Sequence, residues 1–234
     1  MIVKNIFFNT LSRLINLTSH FLFIPIYIKF LGIEGYGVIG IYIVFFTFLT
    51  FTDFGMTATI TRLMALKDDS TETTRNKKTI FNTFEITYFS VMIVILLLSL
   101  IFLDPISSNF FNESDGVIQD KIFIFFLMIW SLFFQLPSSL YVGALMGLNR
   151  QQTANILMST AALARGIFAI LFLYINPSLE SFFCSQILVN ISYLIILKTS
   201  VQKSLTGTNT VKRFDIKVLK DNLTFTSNMA LLSI

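Results

Sequence analysis

The chain has 234 residues, of which only 13% are charged and 54% are hydrophobic. Soluble proteins carry roughly 25% charged residues, so the composition excludes an ordinary soluble globular protein. The mean hydropathy of +0.75 indicates that lipid surrounds most of the chain. The net charge of +4 does not indicate nucleic-acid binding, because the basic residues lie between long apolar runs and form no basic patch.

Apolar segments long enough to cross a bilayer follow one another along the chain. A hydrocarbon core about 30 Å thick requires about 20 mostly apolar helical residues. Six segments meet this requirement, at residues 6–31, 36–64, 80–103, 121–148, 154–176 and 179–201. A seventh begins near Asn222 and reaches Ile234, over which a helix rises only about 20 Å.

We therefore predict an all-α, polytopic integral membrane protein with six transmembrane helices and the start of a seventh. Residues 1–201 are expected to form a six-helix N-terminal transmembrane lobe, and residues 202–221 a basic cytoplasmic linker. Residues 222–234 are expected to be a truncated start of the seventh helix. On this interpretation the chain is one lobe of a larger protein.

The distribution of Lys and Arg predicts that the six-helix lobe begins and ends on the cytoplasmic side. In this orientation the basic residues inside are Lys4, Arg62, Lys67, Arg75, Lys77, Lys78, Arg150, Lys198, Lys203, Lys212, Arg213, Lys217 and Lys220. Only Lys29 and Lys121 lie outside. The reverse orientation would invert this strong bias.

Polar residues of the first span share one face of the predicted helix, within a stripe about 80° wide. They are Asn5, Asn9, Arg13, Asn16, His20 and Tyr27. Polar groups inside a membrane need either a partner or a cavity. For His20 alone, a hydrogen bond to a neighbouring helix is the simpler interpretation, whereas the whole stripe indicates a cavity lining.

Arg165 is the most deeply placed charge, about 16 Å into the fifth span and too deep to reach the headgroups easily. It shares a helix face with the small residues Ala162 and Ala169, so we predict that it points into the bundle. A buried ion pair with Asp53 or Glu85 is one interpretation. Anion binding is favoured over it, because a guanidinium keeps its charge and binds phosphate oxygens with two nitrogens.

Three further polar residues lie in predicted spans. Asp53 could pair with Arg13, accept a coupling proton or help to bind Na⁺, and the pairing is the simplest of these. Glu85 lies near the cytoplasmic end of the third span, where an interfacial position would explain it. Gln135 belongs to the inward polar groups of the fourth span, and Pro137 predicts a kink beside it.

Motifs of catalysis are missing from the sequence. It contains no GxSxG, Walker A, HExxH or paired-carboxylate pattern. One His and one Cys, His20 and Cys184, exclude a His-paired or Cys-based metal site and a disulfide framework. We therefore predict that the protein is not an enzyme and uses no metal or other cofactor.

Two stretches of the sequence carry a family resemblance. The first is Phe30-Leu-Gly-Ile-Glu-Gly-Tyr-Gly-Val-Ile-Gly40, followed by Thr52-Asp-Phe-Gly-Met-Thr-Ala-Thr-Ile-Thr-Arg62. The second is Gly143-Ala-Leu-Met-Gly-Leu-Asn-Arg-Gln-Gln-Thr-Ala-Asn155. Together they resemble the N-terminal lobe of O-antigen and other polysaccharide flippases of the multidrug/oligosaccharidyl-lipid/polysaccharide superfamily. The similarity runs across the whole chain.

The resemblance implies a transporter of two six-helix lobes around a central cavity in the bacterial inner membrane. Such proteins move undecaprenyl-diphosphate-linked oligosaccharide repeat units to the periplasmic leaflet by alternating access, for O-antigen (lipopolysaccharide) or related surface polysaccharides. In that scheme the candidates for the diphosphate or anionic sugars are Arg13 and Arg165, and those for sugar hydroxyls are Asn9, Asn16 and Gln135. The candidates for ion coupling or ion pairing are Asp53, Glu85 and His20.

The partners implied by the resemblance are the lipid-linked oligosaccharide, the bilayer, a missing C-terminal lobe and the polysaccharide polymerase machinery, but no nucleic acid. Because alternating access requires two bodies that move about a shared site, the chain alone is not expected to transport. Two alternatives stay open: a truncated, transport-inactive lobe that packs with partners, and a small-molecule antiporter of a sister family.

Overall fold

A computed structural model describes residues 2–66, 71–101, 121–205 and 214–232. In these ranges the chain is helical and contains no strand, as predicted. The α-helices are α1 (Ile2–Thr50), α2 (Met56–Ala65), α3 (Thr71–Ile101), α4 (Lys121–Gln135), α5 (Ser138–Gly147), α6 (Gln151–Ile175), α7 (Leu179–Ser204) and α8 (Ile216–Leu232). A single 3₁₀ turn, Phe51–Asp53, joins α1 to the short α2.

Helix α1 contains the first two predicted spans, up to Thr50, and Gly32 interrupts it. Gly32 has φ 72° and ψ 176°, a backbone conformation that favours glycine because it has no Cβ. Phe23 and Thr47 line the same cavity, although a straight helix would separate them by about 36 Å. The two halves of α1 therefore fold back on each other at Gly32, where the sequence predicts a short turn.

The second predicted span, 36–64, is not a single helix, and this part of the prediction is wrong. Phe54 and Gly55 both have left-handed backbone angles, with φ of 48° and 74°, which an α-helix cannot include. Gly55 is the N-cap of the new helix and has no side chain to cap it, so the Asp53 carboxylate, two residues earlier, accepts a hydrogen bond from the Thr57 N–H of the first turn at 3.1 Å. The apolar pattern continues through this break, so hydrophobicity alone does not reveal it.

The predicted kink at Pro137 is confirmed, because the fourth predicted span is divided there into α4 and α5. Proline lacks a backbone N–H and interrupts the hydrogen-bond ladder of a helix. The ladder ends with Leu136 N–H on the Leu132 carbonyl at 3.0 Å, and Ser139 N–H returns to the Leu136 carbonyl at 3.2 Å. The break lies directly after Gln135, the last residue of α4.

Helix α5 packs closely against α2 at the two glycines Gly143 and Gly147. A Cβ on Gly143 would lie 2.8 Å from Thr61 Oγ1, and one on Gly147 would meet the carbonyl oxygen of Thr61. Small residues allow helix backbones in a membrane to come this close. The largest buried cluster surrounds this contact and includes Ile60 and Leu140.

Five helical stretches of the described chain are long and apolar enough to cross a membrane: Phe21–Thr50, Lys77–Ile101, Lys121–Gly147, Gln151–Ile175 and Leu179–Ser204. The last four correspond to the third to sixth predicted spans. The first covers the folded-back α1, so the count of six crossings and their orientation stay predictions. The final helix begins at Ile216, ahead of the expected Asn222.

Candidate functional site

A cavity of about 420 Å³ lies between the two halves of α1 and helices α4, α6 and α7. Its walls combine aromatic rings with a few polar groups. The polar and aromatic residues that matter here are Tyr27, Tyr36, Tyr42, Gln135, Arg165 and Gln186. The volume falls in the range of small-molecule sites, about 300–1,000 Å³.

Arg165 lines this cavity from α6, in agreement with its predicted inward direction. Its Nε donates a hydrogen bond to Asn190 Oδ1 at 2.8 Å, and its guanidinium carbon lies 5.5 Å from the centre of the Tyr193 ring. Neither Asp53 nor Glu85 contacts Arg165, and within the described residues no carboxylate forms an ion pair with it. The cation is therefore held by neutral groups.

A network of hydrogen bonds connects Arg165 to Gln135 across the bundle. The Asn190 amide donates to the Ser131 carbonyl at 3.2 Å and lies 3.3 Å from Ser131 Oγ. Ser131 Oγ is 2.9 Å from the Tyr42 hydroxyl, which donates to Gln135 Oε1. The network joins α1, α4, α6 and α7, and it brings together two of the predicted substrate-binding residues, Gln135 and Arg165.

Helix α7 contributes polar residues that the sequence analysis missed. Gln186 donates from Nε2 to the Arg165 carbonyl oxygen at 3.3 Å, and both Gln186 and Asn190 are buried. Together with Tyr193 they occupy positions i, i+4 and i+7 of one helix face. Their spacing is the same kind of signal as the polar stripe of the first span, so the sequence contains the information that predicts this polar face of α7.

Of the polar stripe predicted on the first helix, the structure describes only the side chain of Tyr27. The side chains of Asn5, Asn9, Arg13, Asn16 and His20 lie outside the described part of the structure. Tyr27, the last member of the stripe, lines the cavity and packs edge-on against Phe182 with ring centres 5.3 Å apart. Tyr27 therefore reaches the same cavity as Arg165.

Asp53 lies in a second polar cluster, between α2, α3 and α5. Besides capping α2, its carboxylate accepts a hydrogen bond from Thr57 Oγ1 at 2.8 Å. Thr57 Oγ1 lies 3.4 Å from Ser139 Oγ, which is 3.3 Å from the Tyr88 hydroxyl. In the described chain, none of the residues in this cluster lines the cavity of Gln135 and Arg165.

Glu85 is more than an interfacial group. Its Oε1 forms an ion pair with Lys198 Nζ at 2.9 Å and accepts a hydrogen bond from the Tyr141 hydroxyl. These contacts tie α3 to α7 and α5. Of the residues predicted for ion coupling or ion pairing, Glu85 forms an ion pair and Asp53 caps a helix.

The comparison with known protein families gives a match over almost the whole chain. The family described as polysaccharide biosynthesis protein matches residues 2–234. No curated protein and no solved structure matches the sequence. The described residues contain no group of three or more His, Cys, Asp or Glu side chains that could hold a metal ion.

Proposed function

Because the chain belongs to the family of polysaccharide biosynthesis proteins, we propose that it acts as a lipid-linked oligosaccharide flippase. Its apolar helices and its family make it a multi-pass membrane protein of polysaccharide synthesis. The proposed cargo is an undecaprenyl-diphosphate-linked repeat unit, which crosses the bacterial inner membrane by alternating access. The product would serve O-antigen or related surface polysaccharides.

The observation that carries this proposal is a cation held by neutral groups in a membrane cavity. A central Arg in a membrane helix costs about 2.5–3.5 kcal/mol on insertion scales, so it needs a compensating role. Arg165 is bonded to the Asn190 amide oxygen and meets no carboxylate in the described residues. An anionic group that enters the cavity would neutralise it, and a guanidinium can bind phosphate oxygens with two nitrogens.

The remaining walls of the cavity suit a saccharide. Gln135 and Gln186 bring amide groups, and Tyr42 brings a hydroxyl, to a space otherwise bounded by rings such as Phe23 and Phe182. Apolar walls with a few placed polar groups are typical of small-molecule sites. We assign sugar hydroxyls to Gln135, and we keep Arg13, Asn9 and Asn16 of the first helix as further cavity candidates.

Deletion of the gene that encodes this chain tests the proposal. We expect loss of surface polysaccharide and accumulation of lipid-linked repeat units on the cytoplasmic side of the membrane. Arg165→Gln should then fail to restore export, and Arg165→Lys should restore part of it, at matched membrane levels. Ser192→Ala is the control, because Ser192 is exposed on α7 and its hydroxyl donates to the Leu188 carbonyl of the same helix at 2.9 Å.

Two results would contradict the proposal. Normal surface polysaccharide in the deletion strain, in the absence of a second transporter, would show that the protein is not the flippase. Full export by the Arg165→Gln variant would show that the charge of Arg165 is not needed to bind the cargo. Intact polysaccharide together with increased sensitivity to toxic small molecules would instead support the alternative of an antiporter.

A further inference from the structure

We propose that Asn190 is a positioning residue that keeps the charge of Arg165 available to an anionic ligand. The inference rests on the proposed function, since it assumes that the cavity receives the charged group of a lipid-linked substrate. It adds a residue on α7 that determines which charge the cavity accepts.

The first step of the argument is the fixed orientation of Asn190. The side chain is fully buried, and its Nδ2 donates to the Ser131 carbonyl oxygen at 3.2 Å. An amide nitrogen that donates to a carbonyl leaves the amide oxygen on the opposite side as an acceptor. That oxygen, Oδ1, receives the Arg165 Nε hydrogen bond at 2.8 Å. The hydrogen bond to α4 therefore fixes the Asn190 side chain, and Asn190 in turn fixes the Arg165 side chain of α6.

The second step concerns the guanidinium nitrogens. Arginine has five N–H donors in a planar fork, and Asn190 engages the one on Nε. The Tyr193 ring lies 5.5 Å from the guanidinium carbon. Both neighbours restrict the plane of the group, and among the described residues no hydrogen bond occupies its terminal nitrogens, which leaves them as donors at the wall of the cavity that Arg165 lines.

The third step concerns the charge of the partner. A carboxylate at position 190 would bond Nε equally well but would form an internal ion pair and cancel the attraction for an anion. The amide of Asn190 has almost the same shape as a carboxylate and offers Nε an oxygen acceptor, but it carries no charge. The choice of Asn over Asp therefore predicts selectivity for an anionic group, whether it belongs to the lipid diphosphate or to an acidic sugar.

Binding of farnesyl diphosphate to the purified full chain in detergent, compared with binding of uncharged farnesol, tests the assignment. Asn190→Asp, which has almost the same shape, should weaken diphosphate binding by about tenfold or more, because a charge-assisted contact is lost. Farnesol binding should stay within about twofold of the unchanged protein. A merely structural role would affect both ligands, so the dependence on ligand charge is the decisive readout. Asn222→Asp on α8 is the matched control for the added carboxylate.

Two further variants complete the test. Arg165→Gln combined with Asn190→Ala should bind diphosphate no more weakly than Arg165→Gln alone, because Asn190 acts through Arg165. Asn190→Ala adds no charge and should weaken diphosphate binding several-fold with farnesol binding kept. Unchanged diphosphate binding in a folded Asn190→Asp or Asn190→Ala protein would overturn the role of Asn190. Equal binding of both ligands by the unchanged protein would overturn the anion site itself and with it the basis of the proposed function.

Discussion

Glu85 and Lys198 form an ion pair between α3 and α7, with 2.9 Å between Oε1 and Nζ. The pair is asymmetric, because the Glu85 side chain is 14% exposed and that of Lys198 is 46% exposed. Tyr141 donates a second hydrogen bond to the same carboxylate. The more buried partner is therefore the acid, and its charge depends on Lys198 and Tyr141 for compensation.

We predict that Lys198→Met destabilises the protein more than Glu85→Gln. Loss of Lys198 leaves a largely buried carboxylate without its cation, whereas Glu85→Gln leaves a half-exposed ammonium and keeps an acceptor for Tyr141. Solvent screening limits the difference to about 1 kcal/mol. Thermal unfolding in detergent measures it, with the exposed Lys217→Met as control. A greater loss for Glu85→Gln would contradict the prediction.

The contact between α5 and α2 predicts a strong effect for Gly147→Ala. The new methyl group would meet the Thr61 carbonyl oxygen and lie 2.7 Å from Met64 Cβ, so the two helices would have to separate. Overpacking of this kind costs about 1–3 kcal/mol. Gly40→Ala is the matched control, because a Cβ there has no neighbour within 4 Å and alanine favours a helix. Equal melting temperatures for the two variants would contradict the predicted clash.

The length of the apolar segments predicted the helices, and Pro137 predicted the kink. Both features can be recognised within a single segment of the sequence. The sequence also predicted the inward direction of Arg165, since small residues share that helix face. The break before α2 was missed because Phe54 adopts a left-handed conformation that its residue type does not indicate. The partner of Arg165 was missed for another reason. Asn190 lies on a different helix, and which polar group meets Arg165 depends on how α6 and α7 pack against each other.

Gly166 is expected to control the size of the cavity. A Cβ at this position would collide with the ring of Phe23, and both residues line the cavity. Gly166→Ala should therefore push the ring aside and reduce farnesyl diphosphate binding. Phe23→Leu in the same chain should restore part of the binding, because it removes the ring that the methyl group meets. Failure of Phe23→Leu to restore any binding, in a variant that stays folded, would show that another contact of Gly166 matters.

Substitutions of Asp53 distinguish a structural role of this residue from a role in ion coupling. Its carboxylate accepts hydrogen bonds from the Thr57 N–H at 3.1 Å and the Thr57 hydroxyl at 2.8 Å, and so it satisfies a first-turn N–H of α2 from two residues before the N-cap Gly55. Asp53→Ala should therefore lower the free energy of unfolding by about 1 kcal/mol, the usual cost of a lost cap.

Asp53→Asn should behave differently, because its amide oxygen can still accept the Thr57 N–H and cap α2. We expect melting temperature and polysaccharide export close to those of the unchanged protein. Thr57→Val, which removes the hydroxyl donor but keeps the backbone N–H, should have an intermediate effect on stability. Loss of export by Asp53→Asn at unchanged stability and membrane level would contradict the purely structural role. That result would make the Asp53 carboxylate, with its neighbours Tyr88 and Ser139, the place to look for the coupling ion.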